Sequence, residues 1–161
     1  MIYLGADHQG FELKEKIKLF LGEQDLEFAD CGPLSYNQDD DYPDFAKLVC
    51  QRVTQNNSLG ILICSTGIGM SIVANRFKNI RAALCCDPAM ARQAKEHNNA
   101  NILCLGKNVD FKPIIKAFLE SQFTKEKRHL RRLEKIPPKD WSASGCHLKT
   151  GQPLAEKKIE N

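Results

Sequence analysis

The sequence predicts an α/β protein: a five-stranded parallel sheet covered on both faces by helices, in one domain over most of the chain. Three observations carry this reading. Five short apolar runs recur along the sequence, and segments with helical spacing of apolar residues separate them. The runs are almost continuously apolar, as strands buried on both faces are. The chain has 161 residues and 42% hydrophobic content, enough for one sizeable core.

The first run, 2–6 (IYLGA), precedes a segment in which Leu13, Ile17, Phe20 and Leu21 fall at i, i+4, i+7, i+8. The second, 26–30 (LEFAD), leads into the polar loop 35–44 (SYNQDDDYPD). Pro43 opens the next helix, marked by Phe45, Leu48, Val49 and Val53. The third run, 60–64 (GILIC), precedes a helix over about 67–77. The fourth, 81–85 (RAALC), precedes one over about 88–97, and the fifth, 101–105 (NILCL), one over about 110–120. Such alternation implies a parallel sheet with right-handed crossovers. After residue 121 a basic helix is expected to about Lys135, where Pro137-Pro138 stop it. The domain therefore spans 1–136. The tail 137–161 lacks periodicity; it is expected to be partly disordered or an extended arm, with Trp141 as its one large apolar anchor. There is no internal repeat.

Composition excludes several classes. The chain opens on Met-Ile-Tyr-Leu-Gly, without the parts of a signal peptide, and no apolar run approaches the roughly 18 residues of a membrane span. A cytoplasmic protein with no membrane partner is expected. Seven cysteines, an odd number without any Cys-x-x-Cys pair, argue against a zinc site or redox motif and for reduced thiols. The net charge of +3 is uneven: residues 124–161 carry 10 basic and 5 acidic side chains. No aromatic interleaving or nucleic-acid motif accompanies them, so no nucleic-acid partner is expected. An arginine cluster suits an anionic small molecule equally well.

In an open parallel sheet, ligands bind beyond the carboxyl ends of the strands. Two turns stand out there: Asp7-His8-Gln9-Gly10 after the first strand and Cys64-Ser65-Thr66-Gly67-Ile68-Gly69 after the third. In a strand order of 2-1-3-4-5 they lie side by side. The second turn is small and permissive, so consecutive N–H groups can point at one anion, and it leads into a helix whose start favours negative charge. The same environment favours a thiolate at Cys64. Spacing alone leaves open a turn made only for tight packing. A tyrosine-phosphatase loop would need arginine where Met70 stands, and a phosphate-binding Walker loop would need lysine between Gly69 and Ser71. His97 reads as a helix-end residue, while His8 beside Asp7 suits acid–base work or anion contact. Arg128 and Arg132 share one helical face at i, i+4, with Leu130 and Leu133 projecting elsewhere to hold that helix down.

These stretches together resemble the ribose-5-phosphate isomerase B family, which also includes the galactose-6-phosphate isomerase subunits. The resemblance rests on GADHQGF (5–11), DYP (41–43), ILICSTGIGMSIVANR (61–76), IRAA (80–83), EHNNANIL (96–103) and the Arg-His-x-x-Arg pattern at 128–132. It implies a Rossmann-like three-layer α/β/α sandwich with strands ordered 2-1-3-4-5. The implied reaction is interconversion of ribose 5-phosphate and ribulose 5-phosphate through an enediolate, in the pentose phosphate pathway. No metal or other cofactor is implied. The implied assembly is a homodimer, or a tetramer built on it, whose active sites draw on both subunits.

By position, the resemblance makes Cys64 the base, assisted by Thr66, with the N–H groups of Ser65, Thr66, Gly67, Ile68 and Gly69 holding the enediolate oxygen. His97 would open the furanose ring and Asp7 would contact the sugar. His8, Tyr42, Asn98, Arg128 and Arg132 would bind substrate, the arginines chiefly its phosphate. Many relatives carry arginine where Asn108 stands, and Lys107 could replace part of that charge. The turn reads Cys-Ser-Thr where Cys-Gly-Thr is commoner. The competing expectations are an isomerase for allose 6-phosphate or galactose 6-phosphate, and a non-catalytic sugar-phosphate-binding module. Retention of Asp7, Cys64, Thr66 and His97 together argues against the last.

Overall fold

The computed structural model describes residues 1–136. In chain order the elements are β1 (Ile2–Ala6), α1 (Phe11–Glu23), β2 (Phe28–Asp30), α2 (Tyr42–Asn56), β3 (Leu59–Cys64), α3 (Ile68–Ala74), β4 (Ala82–Leu84), α4 (Pro88–Asn98), β5 (Ile102–Gly106), α5 (Phe111–Glu120) and α6 (Lys127–Leu133). The five strands form one parallel sheet. Alternate residues of each central strand face opposite layers. Leu4, Ile61, Ile63, Leu103 and Leu105 join one core with α1, α4 and α5, while Leu62, Cys64, Ile102 and Cys104 join another with α2 and α3.

The strand order is β2-β1-β3-β5-β4, so the last two strands exchange places relative to the expected 2-1-3-4-5. Burial explains the exchange. Every residue of β5 is buried, whereas the three residues of β4 are only half-buried, so the longer apolar strand takes the interior position. The helices follow. Right-handed crossovers put rightward connections on one face and leftward ones on the other. Because β4 to β5 steps back, α4 packs with α1 on the face opposite α2 and α3. The β1–β3 adjacency that positions the two turns is unaffected.

Pro43 sits in the first turn of α2, as expected. The basic helix is shorter than expected. Residues 121–126 are not helical: Lys125 has φ +55°, and Thr124 is tied through both its N–H and its hydroxyl to the Glu96 carbonyl at 3.1 Å. Nor do Leu130 and Leu133 share the work of holding α6 down, for Leu130 is exposed and the buried residue is His129. Helix α3 ends at Ala74 because Asn75 bonds the Ser71 carbonyl and both the N–H and carbonyl of Ala82. The expectations for Pro137-Pro138, Trp141 and the rest of the tail 137–161 lie outside the described residues. All six described cysteines are free thiols. Among the described residues, no helix is long and apolar enough to cross a membrane.

One buried charge cluster shapes the loop between β2 and α2. Lys14, fully buried, donates to both carboxylate oxygens of Asp30 (2.7 and 2.6 Å) and to the Pro33 carbonyl (2.6 Å). Lys18 and the Gly32 N–H also bond Asp30. Burial alone would raise the Asp30 carboxyl, but these donors outweigh it and hold it below the ordinary value. The start of loop 31–41 is thereby fixed.

Candidate active site

The turns after β1 and β3 lie next to each other because β1 and β3 pair in register from Ile2–Leu59 to Ala6–Ile63. Cys64, the last residue of β3, is 5% exposed, and its Sγ accepts the Gly67 N–H at 3.1 Å. The Thr66 hydroxyl accepts the Ile68 N–H at 3.3 Å. Two of the five N–H groups between 65 and 69 are thus engaged within the turn itself. Gly67 takes φ +78°, and a Cβ there would come within 2.5 Å of Leu84 and 2.9 Å of the Leu105 carbonyl carbon, so only glycine fits. The Tyr42 ring lies against Gly69, 2.8 Å from where a Cβ would be.

The neighbouring turn is equally constrained. The Asp7 carboxylate is buried and accepts the Gly10 N–H at 2.9 Å. A side chain at Gly10 would strike the Ile63 carbonyl oxygen at 2.6 Å, so the turn packs directly on β3. Burial raises the Asp7 pKa despite the Gly10 bond and the nearby His8. The loop after β5 completes this end: the Lys107 N–H bonds the Ser65 carbonyl at 3.2 Å, and Lys107 Nζ donates to Gln9 Oε1 at 2.6 Å. Here His8, Gln9, Lys16, Tyr36, Lys107 and Asn108 line a cleft of about 450 Å³.

The other expected residues form a second group elsewhere. Helix α4 runs back across the sheet, so His97 and Asn98 at its end lie by the amino end of β5. Cys64 pairs with Gly106 at the carboxyl end of β5, and Gly60 pairs with Ile102 at its start. Those four residue steps alone amount to about 13 Å. His97 stacks on His129 of α6. Asn98 lines the larger cavity, about 640 Å³, with Arg76, Arg81, Leu133 and Ile136. Arg128 is exposed and bonds Glu126 at 2.8 Å, and Arg132 is exposed one turn on. Within one chain, therefore, Asp7, His8, Tyr42, Cys64–Gly69 and Asn108 gather at one end of the sheet, and His97, Asn98, Arg128 and Arg132 gather at the other.

Sequence reading missed two members of these groups. Asp40, within the polar loop 35–44, bonds His8 from 32 residues away. His129, between the two arginines, is the buried face of α6. The signal available for His129 was its i, i+4 spacing from half-buried Leu133, which puts both on one face of α6; none existed for Asp40.

The family described as Ribose/Galactose Isomerase matches residues 2–136. A putative sugar phosphate isomerase of Rickettsia prowazekii is 49% identical over 140 residues, covering 84% of this chain and 96% of that protein. The probable ribose-5-phosphate isomerase B of Mycoplasma pneumoniae is 43% identical, covering 84% and 91%. The crystal structure of a Thermotoga maritima ribose 5-phosphate isomerase superposes with TM-score 0.80 at 48% identity, covering 84% of this chain and 95% of that one. The Mycoplasma genitalium ribose-5-phosphate isomerase B, determined with bound ribulose 5-phosphate, gives TM-score 0.81 at 38% identity over 89% and 96%. With residues 2–136 matched by the family model and most of its length shared with these proteins, the chain belongs to the ribose/galactose isomerase family.

Proposed function

We propose that this protein is a cytoplasmic ribose-5-phosphate isomerase, interconverting ribose 5-phosphate and ribulose 5-phosphate as a homodimer. The observation that carries the reading is the Cys64 sulfur. It stands at the carboxyl end of a central strand, holds an N–H from its own turn, and shares that end of the sheet with Asp7, His8 and Tyr42. The complex of the Mycoplasma genitalium relative with ribulose 5-phosphate supports the choice of substrate.

Aldose–ketose isomerisation removes a weakly acidic proton beside a carbonyl and builds negative charge on oxygen. The Cys64 thiolate takes the C2 proton of the open aldose, and the electron pair moves onto the C1 carbonyl oxygen to give the enediolate. Protonation at C1 by the same thiol, with a proton exchanged between the two oxygens, yields the ketose. Thr66 beside Cys64 assists that exchange, and N–H groups of the 65–69 turn stabilise the enediolate oxygen. His97 donates a proton to open the furanose ring, and Asp7 contacts the sugar. His8, Asn98 and Asn108 bind substrate; Arg128 and Arg132 grip its phosphate.

The two groups of residues lie at opposite ends of one sheet, so each active site is assembled from the Cys64 end of one subunit and the His97 end of its partner. The decisive experiment is an isomerisation assay on the purified homomer with ribose 5-phosphate and with allose 6-phosphate. Turnover of the pentose well above the hexose supports the reading; hexose preference, or no turnover of either, overturns it.

A further inference from the structure

His8 is held in an unusual way. A single oxygen, Asp40 Oδ1, accepts both the His8 backbone N–H at 2.9 Å and its ring Nδ1 at 2.8 Å. Two bonds from one atom to the same residue fix the rotation of the ring. They also place a proton on Nδ1, because a carboxylate can only accept. Nε2 is left as the ring's other polar atom, and the ring forms part of the wall of the 450 Å³ cleft with Lys16, Lys107 and Asn108.

Asp40 bears a cost for this. Its side chain is 7% exposed, and its second oxygen, Oδ2, is buried without a hydrogen-bond partner. A carboxylate kept only to stabilise the loop would be expected to satisfy both oxygens. Here its hydrogen bonds all go to His8. The loop that delivers it is fixed at its start by Lys14 and Asp30 and at its end by α2.

We propose that Asp40 is a positioning residue for the reaction: its carboxylate clamps His8 through Nδ1 and so offers Nε2 as a hydrogen-bond donor to the anionic substrate. This rests on the reading of His8 as a substrate contact. The electrostatics agree. The Asp40 hydrogen bond, opposed by partial burial and aided by the Asp7 charge, raises the His8 pKa above 6.5. The other groups facing His8 are Glu12, Lys16 and Lys107 around the cleft and the Tyr36 ring, edge-on at 6.4 Å. The clamp keeps the ring a cationic donor to higher pH than a free histidine would be.

The test compares full-length wild type with Asp40→Asn, which keeps an oxygen acceptor but no charge, and with Asp40→Ala. The His8 ring is titrated by NMR, and kcat and KM for ribose 5-phosphate are measured across pH 6–9. In Asp40→Asn the His8 titration should move to lower pH. At pH 8 KM should rise about tenfold with kcat within about twofold, and the difference should shrink toward pH 6 as His8 gains its proton in both proteins. The substrate phosphate titrates identically in both and cancels. An unmoved His8 titration, or an equal loss at pH 6 and pH 8, overturns the proposal. A second arm needs no turnover: inorganic phosphate should perturb the His8 ring signals of the wild type, and about tenfold more should be needed in Asp40→Asn. If the wild type fails to isomerise ribose 5-phosphate, the assigned reaction falls, while the titration and phosphate arm still decide the role of Asp40.

Discussion

The imidazole rings of His97 and His129 lie face to face, 4.4 Å between centroids and 8° from parallel. His129 is 2% exposed, and its Nε2 is buried with no hydrogen-bond partner. Burial, then the adjoining Arg128 and His97 charges, lower its pKa, so the ring beneath His97 stays neutral. It is a flat, uncharged support for the side chain assigned to ring opening.

That stack yields the first prediction. His129→Phe should keep the support, with kcat within about threefold of wild type, whereas His129→Ala should lower kcat about tenfold or more by letting His97 move. A depressed histidine pKa means the unfolded chain binds the proton first. The stability it confers is full above 6.5 and is lost as pH falls from there toward the folded value. The fall in Tm between about pH 7 and pH 5.5 should therefore be smaller in His129→Phe than in wild type. An identical fall in both proteins would remove His129 from the account.

The separation of Cys64 from His97 predicts complementation between two dead enzymes. Cys64→Ala and His97→Asn homodimers should each be nearly inactive. Unfolded, mixed in equal amounts and refolded, they should recover about a quarter of wild-type activity, because half the dimers are mixed and each of those has one intact site. No recovery, with mixed dimers demonstrated by mass spectrometry, would place both residues in a single-chain site.

Cys64→Ala alone should reduce turnover at least about 10²–10⁴-fold, the usual worth of a positioned base, with the far-UV spectrum and Tm little changed. Alkylation should inactivate and substrate should protect. The control is Cys86, the exposed thiol near the end of β4: Cys86→Ser should be inactivated as fast as wild type. Loss of inactivation in Cys86→Ser would shift the chemistry away from Cys64.

Lys14→Met should destabilise, by up to about 3–5 kcal/mol in urea unfolding, because it removes the buried ammonium from Asp30 and leaves only Lys18 and the Gly32 N–H to hold that carboxylate. Asp30 also predicts an acid limit. A carboxyl held below its ordinary value of 3.8 contributes stability that is present above that value and lost as pH falls through the folded one. The Tm of Asp30→Asn should accordingly fall less steeply with falling pH below about pH 4 than that of wild type.

Much of this molecule was legible beforehand because its information is local. The five apolar runs, Pro43 at the head of α2 and the small-residue turn after Cys64 are each specified within a few residues. What escaped was pairing at a distance. The exchange of β4 and β5 depends on which strand is more completely buried, and strand-forming patterns do not rank that. Segment 121–126 carries helix-forming residues but is kept out of the helix by Thr124 on Glu96. Leu130 looked like an anchor by type, yet the polar His129 is the buried residue, since it has a flat partner to lie on. Asp40 could be linked to His8 only by a loop whose path is set by Lys14 and Asp30.

The β2-β1-β3-β5-β4 order has a bearing on assembly as well as on packing. It places the two shortest strands, Phe28–Asp30 and Ala82–Leu84, at the two margins of the sheet, three residues each. Such margins offer little unsatisfied backbone for another chain to zip onto, and brevity is one way proteins guard against ribbon-like growth and fibrils. Sheet-to-sheet extension is thus discouraged on both flanks. Copies of this chain that associate are steered to meet through helical surfaces and loop ends, where side chains set the geometry and the partnership can close on itself.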